Sequence, residues 1–299
     1  MKSKGFKPLL LHQVSLDVGA ERPFKAVLVA DTHLVRADAR DGDPRKLELA
    51  ARRLPEMGHG ERYLTEAVMR ARSENALLLH AGDIYDFVSC ASLELARLVF
   101  GADDWFACVG NHDFSRYVGE AREDAAYKAA SAERVAEVWP NGISFASRVV
   151  NGVNFVAVDD VYYNFTEEQL ALMEKEIAKG LPVVLLCHVP LYAPGLYADQ
   201  MAKTDGVCAY QCGVPDALVA TWKKERDFPP GEEWRDRRVQ QRADAPTKEF
   251  VAYLKAQPLL KAVLCGHTHA FWQERFSPTA VQIVCPAAYN GEGCILSLR

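Results

Sequence analysis

The sequence predicts an α/β fold, a four-layer αββα sandwich in which two mixed β-sheets pack face to face and helices flank them. Three observations lead there. Short apolar, branched runs with the length of buried strands alternate with segments of helical period. A group of short strands closes the chain, where a mixed or antiparallel sheet is expected. The chain also has 299 residues and 49% hydrophobic content, enough to build a substantial core.

Taken in order, Leu9–Val18 reads as an opening strand and Ala26–Ala30 as the first buried one. Arg62–Arg72 carries apolar residues at three- and four-residue spacing and reads as a helix. Ala76–Leu79 follows as a strand, Ser92–Phe100 as a helix, Trp105–Val109 as a strand and Glu120–Val138 as a helix. Ile143–Val150 and Val153–Val158 flank Asn151-Gly152, a strong hairpin signal. Thr166 with Gln169 forms a capping-box start for a helix over Glu167–Lys179, which Gly180-Leu181-Pro182 stops. Pro182–Leu186 and Ala262–Cys265 are strands on either side of a Lys248–Ala256 helix. Phe271–Phe276, Ala280–Val284 and Cys294–Leu298 close the chain as short strands separated by Ser277-Pro278 and Asn290-Gly291 turns. The opening strand and the hairpin are candidates to join this terminal sheet.

Two stretches break the alternation, Val35–Gly60 and Pro190–Asp244, both long and irregular for a compact domain. The whole chain, 1–299, reads as a single domain with a cap-like insertion at about 190–244. That insertion holds Tyr192, Tyr197, Tyr210, Trp222 and Trp234, aromatic residues suited to shaping a pocket.

Composition removes several function classes. A net charge of −5 and a pI near 5.9 argue against a general grip on nucleic acid. No apolar run approaches the ~18 residues of a membrane span, and Leu9–Leu11 is too short for a signal-peptide core, so a cytoplasmic protein is expected. Eight cysteines are too dilute for a disulfide scaffold. Cys108, Cys187, Cys265 and Cys285 fall in apolar runs and read as buried free thiols, and Cys208 with Cys212 is a weak zinc pair.

The chemistry lies in five clusters: Asp31-Thr32-His33, Gly82-Asp83, Gly110-Asn111-His112-Asp113, Cys187-His188 and Gly266-His267-Thr268-His269. They use five of the eight histidines, and each follows a strand-like run, where α/β folds place ligand sites. Taken singly, Asp31-Thr32-His33 is also a plausible turn or cap, and Gly82-Asp83 is a dipeptide expected by chance. Gly110-Asn111-His112-Asp113 and Gly266-His267-Thr268-His269 are far less so. Carboxylate, imidazole and amide donors without clustered thiolates suit a pair of borderline divalent metals, which activate water and clamp a phosphoryl group.

In this order the clusters resemble the calcineurin-like metallophosphoesterase superfamily, marked by D-x-H, G-D-x-x-D, G-N-H-[DE], a lone His and G-H-x-H. The resemblance spans Asp31 to His269. It implies two divalent metal ions, manganese, iron or zinc. Asp31, His33 and His269 would hold the first, Asn111, His188 and His267 the second, and Asp83 would bridge them. It implies hydrolysis of a phosphate mono- or diester of a small or medium substrate by a metal-bridging hydroxide. His112 would act as acid or charge stabiliser, with Asp113 favouring its protonated form. Asp86 stands where the purple acid phosphatases carry a tyrosine and His33 where they carry a glycine, which separates the chain from that subgroup. The contrasting reading is an inactive, protein-binding scaffold. Such a scaffold would lack ligands, and none is missing here.

Of the other residues, His80 reads as a structural histidine and His12 and His59 as surface residues. Asp159 and Asp160 read as turn or supporting groups, and Tyr162, Tyr163 and Asn164 as candidates for the pocket wall. Arg36, Arg237 or Arg238 is a candidate to reach a second phosphate, although solvated surface positions are the simpler reading.

Overall fold

The computed structural model describes residues 7–118 and 123–299. Five strands form one mixed sheet: β1 (Leu10–Leu16), β2 (Phe24–Val29), β3 (Leu77–Ala81), β4 (Trp105–Cys108) and β11 (Glu292–Leu298), in the order β1-β11-β2-β3-β4. The second sheet has β5 (Phe145–Val150), β6 (Val153–Val158), β7 (Val183–Leu186), β8 (Leu260–Cys265), β9 (Trp272–Arg275) and β10 (Val281–Val284), in the order β5-β6-β7-β8-β10-β9. β2, β3 and β4 are parallel to one another, as are β6, β7, β8 and β10.

The central strands are buried on both faces, which is why they read as unbroken apolar runs rather than alternating ones. In β2, Ala26 and Leu28 pack between the sheets with Leu79, Phe106, Phe155, Val184 and Leu264. Val27 and Val29 point the other way, toward helices α2 (Gly60–Glu74) and α3 (Cys90–Ala102). On the far side, Val183, Leu185 and Val263 pack against α5 (Glu167–Ile177) and α9 (Ala245–Ala256) through Met173, Phe250 and Leu254. The four expected layers are therefore present. Truncating a residue such as Leu28, fully buried between the sheets, would cost about 2–5 kcal/mol.

Local signals place the helix starts. Thr166 and Gln169 make both bonds of the capping box on α5, and Ser89 and Asp244 cap α3 and α9. Asp124 caps α4 (Ala125–Ala136), so the helix expected from Glu120 begins at Ala125; residues 120–122 lie outside the described residues. All eight cysteines are free, and seven of them are buried.

Two expectations change. The terminal strands divide between the sheets: β11 runs beside β1, whereas β9 and β10 lie at the opposite edge of the second sheet from the β5–β6 hairpin. The irregular stretch after the first cluster also contains α1 (Pro44–Met57), with Asp43 as N-cap and Pro44 in its first turn. The stretch from Pro190 to Asp244 folds around short helices α6 (Pro194–Lys203), α7 (Asp216–Val219) and α8 (Arg237–Gln240). It has a small core of its own in Cys208, Ala209, Val214, Val219 and Trp222. Among the described residues no helix is long and apolar enough to cross a membrane.

Candidate metal centre

Parallel strands end at a common edge, and the five clusters occupy the carboxyl ends of five of them. Asp31 and His33 follow β2, Asp83 follows β3, Asn111 to Asp113 follow β4, His188 follows β7, and His267 and His269 follow β8. The loops bind one another through their backbones. Asp31 N donates to Gly82 O (3.0 Å), His33 N to Asp83 O (3.1 Å) and Gly266 N to His188 O (2.9 Å). Asp31, His33, Asp83, His267 and His269 all have positive φ, between 45° and 71°. Left-handed backbone at non-glycine residues costs free energy and concentrates at functional sites, where surrounding contacts over-determine it. A side chain at Gly110 would put its Cβ 2.2 Å from Asp83 Oδ1, so glycine is required there for close approach.

The donor atoms converge. His33 Nε2 lies 3.8 Å from Asp31 Oδ1 and 3.7 Å from Asp83 Oδ2. His269 Nε2 is 3.2 Å from Asp31 Oδ1, and His188 Nε2 is 3.2 Å from Asp83 Oδ2. His267 Nδ1 lies 3.2 Å from His188 Nε2. Asp31, His33 and His269 group within metal-holding reach, and so do Asp31, Asp83 and His188. His112 also comes within that reach of His33 and Asp83. Among the described residues, Asp31 Oδ1, His33 Nε2 and Asn111 Oδ1 are buried without a hydrogen-bond partner, an arrangement that is costly unless a cation satisfies them. Oxygen and imidazole donors without thiolate fit manganese, iron or zinc.

The remaining ring nitrogens are tied down, which orients the converging ones. His188 Nδ1 donates to Ala81 O (2.8 Å). His33 Nδ1 is 3.1 Å from Asp86 Oδ1, His267 Nε2 is 2.8 Å from the Tyr163 hydroxyl, and His269 Nδ1 is 3.1 Å from the Tyr289 hydroxyl. Asp86 is the centre of this support. It also takes a bidentate pair from Arg53 of α1 (2.7 and 2.8 Å) and lies 3.3 Å from His112 Nδ1, which donates to its backbone carbonyl at 2.8 Å.

Burial raises the carboxyl groups of Asp31, Asp83 and Asp86, but neighbouring charges and hydrogen bonds outweigh it, and all three stay well below the usual range. The decisive partners are His269 for Asp31, His188 and His112 for Asp83, and Arg53 for Asp86. Burial opposes protonation of His33, yet Asp31, Asp86 and Asp83 push it up to about 10. His188 is likewise raised to about 10, against its burial, by Asp83 and Asp31. Burial and the neighbouring His188 charge hold His267 down to about 3.

Asp113 does not stand behind His112. Its carboxylate accepts from the backbone N–H groups of Asp83 and Gly110 through Oδ2 (2.8 Å each) and of Ile84 through Oδ1 (3.0 Å), so it organises two loops. The short 3-10 turn His112–Phe114 explains this, because neighbouring side chains on it diverge by a third of a turn. Asp160 does the same for the His188 loop, accepting from His188 N (3.1 Å) and Val189 N (2.9 Å). Burial and, for Asp113, the Asp83 charge raise both to about 7. Asp159 pairs with Lys128. His80 is buried against the Thr32 hydroxyl at 2.8 Å, a structural role, and His59 is exposed. His12 is only half-exposed, 2.8 Å from Glu292 and stacked on Phe271.

The profile of the calcineurin-like phosphoesterases matches residues 24–271, from the first residue of β2 to beyond His269. The chain belongs to that family. As a calcineurin-like phosphoesterase it is a metal-dependent hydrolase of phosphate esters. No curated protein matches its sequence. Among solved structures, a dimetal phosphatase from Danio rerio is similar at 13% identity and a TM-score of 0.50, over 89% of this chain and 88% of that one. The calcineurin-like phosphoesterase YfkN from Bacillus subtilis is similar at 9% identity and a TM-score of 0.40, over 89% and 82%. A 5′-nucleotidase from Candida albicans is similar at 11% identity and a TM-score of 0.39 over 94% of this chain, which spans 48% of that protein. At such identities the likeness is one of fold.

The phosphoesterase site opens into a cleft of about 960 Å³. Asp83, Asn111, His112, His267 and His269 line it, as do Tyr162, Tyr163 and Asn164 of the loop after β6. Tyr210, Trp234 and Arg237 reach it from the segment between β7 and α9. No motif points to Arg53 or Tyr289 as supporting groups; both act across long separations in the chain.

Proposed function

We propose that this phosphoesterase hydrolyses small or medium phosphate mono- or diesters at two divalent cations, with segment 190–244 acting as a cap over the cleft. Asp31, His33 and His269 would hold one cation, Asn111, His188 and His267 the other, and Asp83 would lie between them. The observation that carries this reading is the convergence of His33 Nε2 and His188 Nε2 on the same Asp83 oxygen, at 3.7 and 3.2 Å. Such a pair of cations, when bound, supplies an acidified water and a clamp on the transferring group.

The chain's own groups do the rest. Asp83 Oδ1 accepts from His112 N at 2.8 Å, which fixes the carboxylate so that Oδ2 faces the histidines. His112, anchored through Nδ1 on the Asp86 carbonyl, lines the cleft and leaves Nε2 for a phosphoryl oxygen or the leaving group. In the metal-free protein, burial lowers His112, but the Asp83 and Asp86 charges raise it above its ordinary value.

The test is turnover of a chromogenic phosphomonoester and phosphodiester by the manganese-loaded protein, before and after chelation. Activity is expected on at least one, lost with the metal and regained with it. Inactivity on both with two metals bound contradicts the reading. His112→Ala should lower turnover roughly 10²–10⁴-fold without changing metal content.

A further inference from the structure

We propose that Arg237 is a specificity residue that selects substrates carrying a second anionic group, a phosphate or a carboxylate, beyond the phosphate under attack. The inference rests on the phosphoesterase reading above and deepens it to a substrate class. Of the three arginines that are candidates for a second phosphate, two are committed to carboxylates. Arg36 forms a bidentate pair with Glu61 (2.7 and 2.8 Å), and Arg238 pairs with its neighbour Asp236 (2.5 Å). Arg237 has no carboxylate within ion-pair distance among the described residues. It is half-buried in the cleft wall and spends one N–H on Gln240 Oε1 at 2.7 Å.

A guanidinium has five N–H donors in a fixed fork matched to phosphate and carboxylate oxygens. Removing such a charge partly from water without a carboxylate partner is unfavourable, and a ligand anion would offset it. Its surroundings are aromatic. The Arg237 Cζ lies 5.8 Å from the Tyr210 ring centroid, and Tyr210 in turn packs edge-on to the His267 ring at 5.7 Å between centroids. Two contacts through one tyrosine therefore join this cation to the metal centre. A substrate with its reacting phosphate at Asp83 and His112 would extend along Tyr210 and present its second anion to Arg237.

Binding can be tested without turnover. Alkane diphosphonates of increasing chain length and phosphonocarboxylates of matched length are titrated calorimetrically into the manganese-loaded protein, with methylphosphonate as the single-anion reference. At least one dianionic ligand should bind more tightly than methylphosphonate. Arg237→Gln should reduce that preference roughly 10- to 100-fold, and Arg237→Lys should restore part of it. Tighter binding of a diphosphonate or of a phosphonocarboxylate names the anion. Methylphosphonate binding by each variant verifies that its site is folded. The inference fails if no dianionic ligand is preferred, or if the preference survives in Arg237→Gln. Either result leaves hydrolysis of simple phosphate esters standing, whereas inactivity with bound metals removes the phosphoesterase reading itself.

Discussion

Two sets of buried carboxylates lie within the same few loops and have opposite character. Asp31, Asp83 and Asp86 face imidazole and guanidinium groups, which hold them well below the usual carboxylate range. Asp113 and Asp160 lie behind the loops, among the described residues accept only backbone N–H groups, and are raised to about 7. Burial acts on all five in the same direction, so the partners decide. The front set faces the candidate metal site, Asp31 and Asp83 directly and Asp86 through His33 and His112, and the back set fixes the backbone that carries it. Each sheet supplies one member of the back set, Asp113 after β4 and Asp160 after β6.

Replacing members of each set separates the two roles. Asp83→Asn removes the charge that His33 and His188 both approach and should lower turnover on the order of 10³-fold or more, with loss of bound metal by elemental analysis. Near-normal metal content would show that Asp83 is not shared. Asp86→Asn loosens His33 and His112 and takes from Arg53 its bidentate partner, leaving the looser Glu56 contact at 3.5 Å, so metal affinity should weaken roughly 10- to 100-fold. An unaltered affinity would remove Asp86 from the supporting role.

In the back set, Asp160→Ala orphans the buried N–H groups of His188 and Val189. Urea unfolding should show a loss of about 1–3 kcal/mol for each, with a smaller effect on metal affinity than Asp86→Asn. The reverse ranking would erase the distinction. A further comparison concerns pH. His33 and His188 are raised from 6.5 to about 10 in the metal-free protein, so a cation must displace their protons. Metal affinity should rise with pH through the range between these values, and binding should release protons, measurable by calorimetry in buffers of different ionisation enthalpy. A pH-independent affinity would mean that these imidazoles are not ligands.

The strands and the five clusters were legible in the sequence because both-face burial leaves unbroken apolar runs, and each cluster follows such a run directly. The helix α1 was not, since only Lys46, Leu49 and Met57 of its fourteen residues are buried and Pro55 interrupts its pattern. Its Asp43-Pro44 start was the available signal. The role expected of Asp113 rests on its adjacency to His112, whereas its carboxylate bonds backbone N–H groups and Asp86, three residues after Asp83, lies against that histidine. Adjacency in sequence says little about contact on a 3-10 turn. The segment from Pro190 to Asp244 was visible only as an aromatic, irregular stretch, because its contribution to the cleft, through Tyr210, Trp234 and Arg237, comes from long-range packing that no local period records.

The most direct test of the two-cation account is turnover followed as manganese is added to metal-free protein, with bound metal counted in the same samples. Turnover rising with the second equivalent per chain, and absent from Asp83→Asn, is the result expected. Full turnover at one equivalent, or none at two, would contradict it.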